Sequence, residues 1–146
     1  MMLRLLTVLS TMVALMAPVA AQAPAADKPF AEHHIVLQLS DRDADKQLLV
    51  LSIAYNLLAA YDPDKIAIEV VTFGPGIDLL RAKNSNRARV DSLISQGVEF
   101  DICMNTVDTL EREGKHVDVN PKAQRVQVGV GRILELAEKG YTIVRP

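Results

Sequence analysis

Val98-Glu99-Phe100-Asp101-Ile102-Cys103, continuing into Met104-Asn105-Thr106, is the stretch on which the fold turns. Strand alternation puts Val98, Phe100 and Ile102 on one face and Glu99, Asp101 and Cys103 on the other. Asn105 or Thr106 is placed to cap a helix from Thr106 to Glu113, closed at Gly114. A strand that feeds directly into a helix is the repeating unit of α/β proteins.

The same unit recurs on both sides. Upstream, Ile35 to Leu39 reads as a strand, and Ser40 with Asp43 forms an S-x-x-D capping box for a helix reaching about Tyr61. The apolar residues of that helix cover much of its circumference, which predicts extensive burial. Asp62-Pro63-Asp64 stops it, and Ile66 to Phe73 is a β-branched second strand. Gly74-Pro75-Gly76 is a tight turn, followed by helical stretches at Ile77 to Ala82 and Arg87 to Gln96, the latter closed by Gly97. Downstream, Val117 to Val128 carries a short strand near Val126; Gly131 to Lys139 is a helix stopped by Gly140, and Tyr141 to Val144 is the last strand. Strands alternating with helices predict one three-layer domain with a mainly parallel sheet of five strands, flavodoxin-like in plan.

The start of the chain reads differently. Met1-Met2-Leu3-Arg4, an apolar run from Leu5 to Met16, and small residues around Val19-Ala20-Ala21 follow the pattern of a cleaved secretory signal. The run is short for a membrane span, which needs ~20 residues. The expected division is a signal peptide at 1–21, a flexible leader at 22–32, and an α/β domain at 33–146, placed in the periplasm or outside the cell. Removing Arg4 with the signal changes 16 basic residues to 15 against 18 acidic ones, a net charge of −3. A mildly acidic chain without Trp gives no support for nucleic-acid binding, and no apolar run after the signal suggests membrane insertion.

Cys103 is the one cysteine of the chain, so no intrachain disulfide forms and the fold stands on packing. Two readings of it stay open from spacing: an inert buried thiol, or one that is used. Its place at the carboxyl end of a strand, where α/β sheets gather ligands, and before a helix N-terminus supports the second. Asp101, two residues away on the same face, opposes a thiolate. His33 and His34 are adjacent on a strand and point apart, which makes them poor chelators. His116 is a distant candidate partner for Cys103. Gly74-Pro75-Gly76 lacks the Gly-Lys-Ser/Thr ending of a phosphate loop, and Gly129-Val130-Gly131 is half a dinucleotide fingerprint. Arg81, Lys83, Arg87 and Arg89 form a basic cluster, read as a solvated face or a dock for an acidic partner or sulfur oxyanion.

Taken together, Glu69-Val70-Val71 through Gly74-Pro75-Gly76, Gly97 through Thr106, Val126 through Val130, and Gly140-Tyr141 through Arg145-Pro146 resemble the DsrE/DsrF-like proteins, and most closely their exported branch. The likeness spans nearly all of the chain after the signal. Cys103 falls on the cysteine of the family's F-x-x-C-x-N-T stretch, with Asp101 and Met104 where small residues are common. The resemblance implies a five-stranded domain assembled into trimers or hexamers. It also implies a sulfur relay in which Cys103 carries sulfane sulfur as a persulfide between donor and acceptor proteins or small thiols. Asn105, Thr106 and the backbone at Gly74, Pro75 and Gly76 would shape the pocket, with no metal or organic cofactor. The alternative is a non-catalytic oligomeric binding or assembly module with a structural Cys103. A thiol redox enzyme is a third reading, and it would need a resolving cysteine from a partner.

Overall fold

A computed structural model describes residues 28–146. The expected signal at 1–21 and the expected leader up to residue 27 lie outside the described residues. The end of the leader is pinned. Lys28 Nζ donates to the carbonyls of Pro63 (2.8 Å) and Ile66 (3.0 Å), and Glu32 pairs with Lys65. The Glu32 N–H also donates to the Lys65 carbonyl at 2.8 Å, so three backbone carbonyls and one ammonium hold Lys28 and Glu32.

Five strands form one parallel sheet: β1 (His33–Leu39), β2 (Ile66–Thr72), β3 (Glu99–Cys103), β4 (Gln124–Val126) and β5 (Thr142–Val144). The strand order is β4-β3-β2-β1-β5. The chain thus steps three times in one direction and then crosses back past β1. Right-handed crossovers place elements that step one way on one face and the returning helix on the other. The packing agrees. Helices α1 (Ala44–Tyr61), α2 (Arg87–Ser95) and α3 (Met104–Arg112), with a 3-10 segment at Gly74–Leu80, bury the larger core around Leu37, Ile68, Phe100 and Ile102. Among the described residues helix α4 (Gly129–Glu138) alone covers the opposite face, over Val36 and Val71. The expected three-layer, flavodoxin-like α/β domain is what the chain adopts.

Several local expectations are corrected. Asp43, not Ser40, caps α1: its side chain accepts from the Lys46 N–H at 2.9 Å. Leu48 and Leu49 of α1 face outward, so the helix is buried on one side only. The Ile77 to Ala82 helix is a 3-10 segment that begins at Gly74. Gly76 forces this tight path, because a Cβ there would lie 2.2 Å from the Leu39 carbonyl oxygen. Helix α3 starts at Met104, directly after the strand, so neither Asn105 nor Thr106 is its cap. The ambiguous stretch before β4 is an irregular connection held by Asn120. Its N–H donates to Leu80 O and its side-chain amide to Asp91, both at 2.8 Å. These two partners lie 29 and 40 residues away in the chain, out of reach of any local pattern.

Candidate functional site

Cys103 lies at the junction of β3 and α3 and is 5% exposed. Alternation along β3 sends Phe100 and Ile102 into the larger core and turns Asp101 and Cys103 toward α4. There the first residue of α4 meets the sulfur: the Gly129 N–H donates to Cys103 Sγ at 3.3 Å. The thiol in turn points at the Gln127 carbonyl, 3.8 Å away. The missing side chain of Gly129 eases this approach. A Cβ at 129 would lie 3.1 Å from the Cys103 Cβ and 3.2 Å from the Phe73 Cβ. In the half fingerprint Gly129-Val130-Gly131, Gly129 thus packs on Cys103 and Gly131 on Val128. Cys103 stands between two helix N-termini, its own α3 and the facing α4, and such ends favour negative charge on a nearby atom.

Beneath α4, next to the thiol along β3, sits a buried acidic pair with one cation. Arg132 Nε and Nη2 both donate to the Glu69 carboxylate, the latter at 3.1 Å, and Arg132 Nε is 3.5 Å from Asp101 Oδ2. Glu69 and Asp101 are 2% and 1% exposed. One guanidinium balances one carboxylate, and the second must keep its proton. Burial, and then the hydrogen bond and charge of Glu69, push Asp101 up to about 9. At neutral pH Asp101 is a neutral carboxylic acid. This removes the electrostatic objection to a thiolate at Cys103 that the sequence raises. Arg132 is held still more firmly in its charged form, first by its hydrogen bond to Glu69. The signal for this cluster was a lone carboxylate, Glu69, inside an otherwise apolar strand, and sequence reading passed over it.

The residues expected to shape one pocket divide between two places. Gly74, Pro75, Asn105 and Thr106 come together on the other side of the strand ends, along a cleft of about 350 Å³. Thr106 Oγ1 accepts from the Gly74 N–H at 3.0 Å and ties the 3-10 segment to α3. Cys103 does not line this cleft, because the pleat turns it toward α4; Gly76 does not line it either, being packed on the Leu39 backbone. Asn105 reaches toward the thiol side as well: its amide N–H donates to Gln127 O at 3.1 Å, and its side-chain oxygen accepts from Gln127 Nε2 at 2.7 Å. The Gln127 carbonyl is therefore a shared acceptor at the thiol.

The other candidates separate. His33 and His34 point to opposite sides, against Tyr61 and Tyr141. His116 follows the far end of α3, roughly 13 Å of helix from Cys103, and faces Glu111 at 3.9 Å. The basic cluster is split, with Arg81 facing Asp78 and Arg87 facing Asp91. Among the described residues no group of three or more His, Cys, Asp or Glu could hold a metal ion, and no helix is long and apolar enough to cross a membrane.

Fold and site define a single-domain parallel α/β protein with one thiol at the carboxyl edge of its sheet. Its fold is similar to that of the protein of unknown function MTH1491 from Methanobacterium thermoautotrophicum, with 29% identity and a TM-score of 0.71 over 79% of this chain and 100% of that one. No family model and no curated protein matches the chain.

Proposed function

We propose that the chain is an exported sulfur carrier of the DsrE/DsrF-like kind, with Cys103 as the carrying thiol. The observation that carries this reading is the Gly129 N–H on Cys103 Sγ at 3.3 Å, at the mouth of two helix N-termini. A donor aimed at sulfur is what a thiolate nucleophile uses, and a neutral Asp101 places no negative charge beside it. In the forward step the Cys103 thiolate attacks the outer sulfur of a donor persulfide. A new S–S bond forms on Cys103, the donor's S–S bond breaks, and the donor leaves as a thiolate. In the second step an acceptor thiolate attacks the outer sulfur and releases Cys103 as a thiolate. No outside oxidant or reductant enters the balance.

Intact mass spectrometry after incubation with glutathione persulfide tests this. A one-sulfur increment that is absent in Cys103→Ser supports the carrier. An unmodified chain, under conditions where a small alkylating reagent does reach Cys103, sinks it.

The second reading is an oligomeric assembly module, and it rests on a different observation. Cys103 is 5% exposed, while Val130 and Leu134 on the outer face of α4 are 58% and 60% exposed, with Val128 and Ile143 also uncovered. On this reading those residues pack subunits into trimers or hexamers and Cys103 is packing. Unchanged assembly and unchanged cellular function in Cys103→Ser would favour it over the carrier.

A further inference from the structure

The cleft beside the 3-10 segment has chemistry of its own. Its walls are apolar where Pro75, Ile77 and Leu110 meet, and two guanidinium groups, Arg42 and Arg81, line it as well. Its volume of about 350 Å³ is that of a site for a small organic molecule. Asp78 is the one carboxylate lining it, and that group is committed to the protein. Asp78 Oδ2 accepts from Gln47 Nε2 at 3.3 Å and Asn84 Nδ2 at 3.4 Å. Its Oδ1 faces Arg81 Nε at 3.4 Å and Arg42 Nε at 4.0 Å. Asp78 thus faces both arginines on the Nε side. Among the described residues, the terminal nitrogens of both guanidinium groups make no hydrogen bond, and each arginine's one ion-pair partner is Asp78. Arg81 Nε is itself buried without a hydrogen bond. Two cations against one anion leave the cleft one positive charge in excess. A single excess charge, two unused guanidinium forks and an apolar wall together match a monoanion with an apolar body. The fork geometry fits a carboxylate, which takes paired N–H donors.

We infer that this cleft binds a small aliphatic monocarboxylate, its carboxylate held by the terminal nitrogens of Arg42 and Arg81 and its chain laid against Pro75, Ile77 and Leu110. The inference is independent of any sulfur chemistry, because Cys103 does not line the cleft.

Calorimetric titration of the chain with acetate, butanoate, hexanoate, hexan-1-ol and inorganic phosphate tests it. Hexanoate should bind more tightly than acetate, and hexan-1-ol and phosphate should each bind at least roughly tenfold more weakly than hexanoate, the scale of one charge-assisted hydrogen bond. Arg42→Gln and Arg81→Gln should each weaken hexanoate by a similar factor, while Cys103→Ser leaves it unchanged. Equal binding of hexan-1-ol, equal binding of phosphate, no binding of any carboxylate, or affinity insensitive to both arginine changes would overturn the assignment. A loss of hexanoate binding in Cys103→Ser would also overturn it. If Arg81→Gln does not fold, Arg42→Gln decides alone, since the Arg42 side chain is 65% exposed and carries little of the packing.

Discussion

At the scale of single residues, two glycines and one acid separate packing from chemistry. Gly129→Ala would push a methyl against Cys103 and Phe73 at just over 3 Å, so urea denaturation should show a loss of about 1–3 kcal/mol. If Cys103 is the proposed carrier, the same change should slow its sulfur loading, because it displaces the N–H that the sulfur accepts. Gly76→Ala meets the Leu39 backbone, which cannot yield as a side chain would. It should cost about 3 kcal/mol or more, or prevent folding altogether, as soluble expression would reveal. Asp101 makes a pH prediction. Its ordinary value is 3.8 and its folded value about 9, so between these the native chain holds a proton that the unfolded chain has released. The contribution is whole below the lower value and is lost as pH rises through the upper one. Stability attributable to this residue should therefore fall across that window. Asp101→Asn, which keeps a donor toward Glu69, should flatten the decline in chemical denaturation series run from acid to alkaline pH. A slope unchanged in Asp101→Asn would mean that the proton is not held there.

At the scale of elements, α4 is the decisive piece. Among the described residues it is the only helix on its face of the sheet, and its first residue supplies the donor to sulfur. Arg132, one turn along, locks it to β2 and β3 through Glu69 and Asp101. Arg132→Met would leave Glu69 buried without its cation and should destabilise the fold by about 3–5 kcal/mol. Adding Glu69→Gln should recover part of that loss, because the orphaned charge is then gone. Thermal and chemical denaturation of the single and double variants check this, and no recovery in the double variant would refute the account. The existence and type of most elements were legible from the chain: strand patterns at β1, β2 and β3, and glycine stops at Gly97, Gly114 and Gly140, where positive φ angles end the helices. Their starts were less legible. Polar side chains near a helix start compete to cap it, and tertiary packing chose Asp43 over Ser40 and let α3 begin without any side-chain cap.

At the scale of the whole molecule, the topology accounts for both the site and the uncovered surface. Because three crossovers fall on one face and one on the other, a single helix shields the thiol side, and its outer apolar residues Val130 and Leu134 are left exposed. On the assembly reading, light scattering should find an oligomer of residues 22–146. Leu134→Glu should dissociate it with little loss of fold, and a monomeric parent chain would remove the assembly reading. By itself the chain determined a parallel α/β domain and placed Cys103 at a strand end, because alternation and glycine punctuation are local properties. Which groups meet Cys103 was decided only by the tertiary structure. The crossing of α4 brought Gly129 to the sulfur and Arg132 to Glu69 from 26 and 63 residues away. The pleat that turned Cys103 toward them also turned it away from the cleft formed by Gly74, Pro75, Asn105 and Thr106. Contacts at such separations follow from strand order, and no local pattern in the sequence encodes that order.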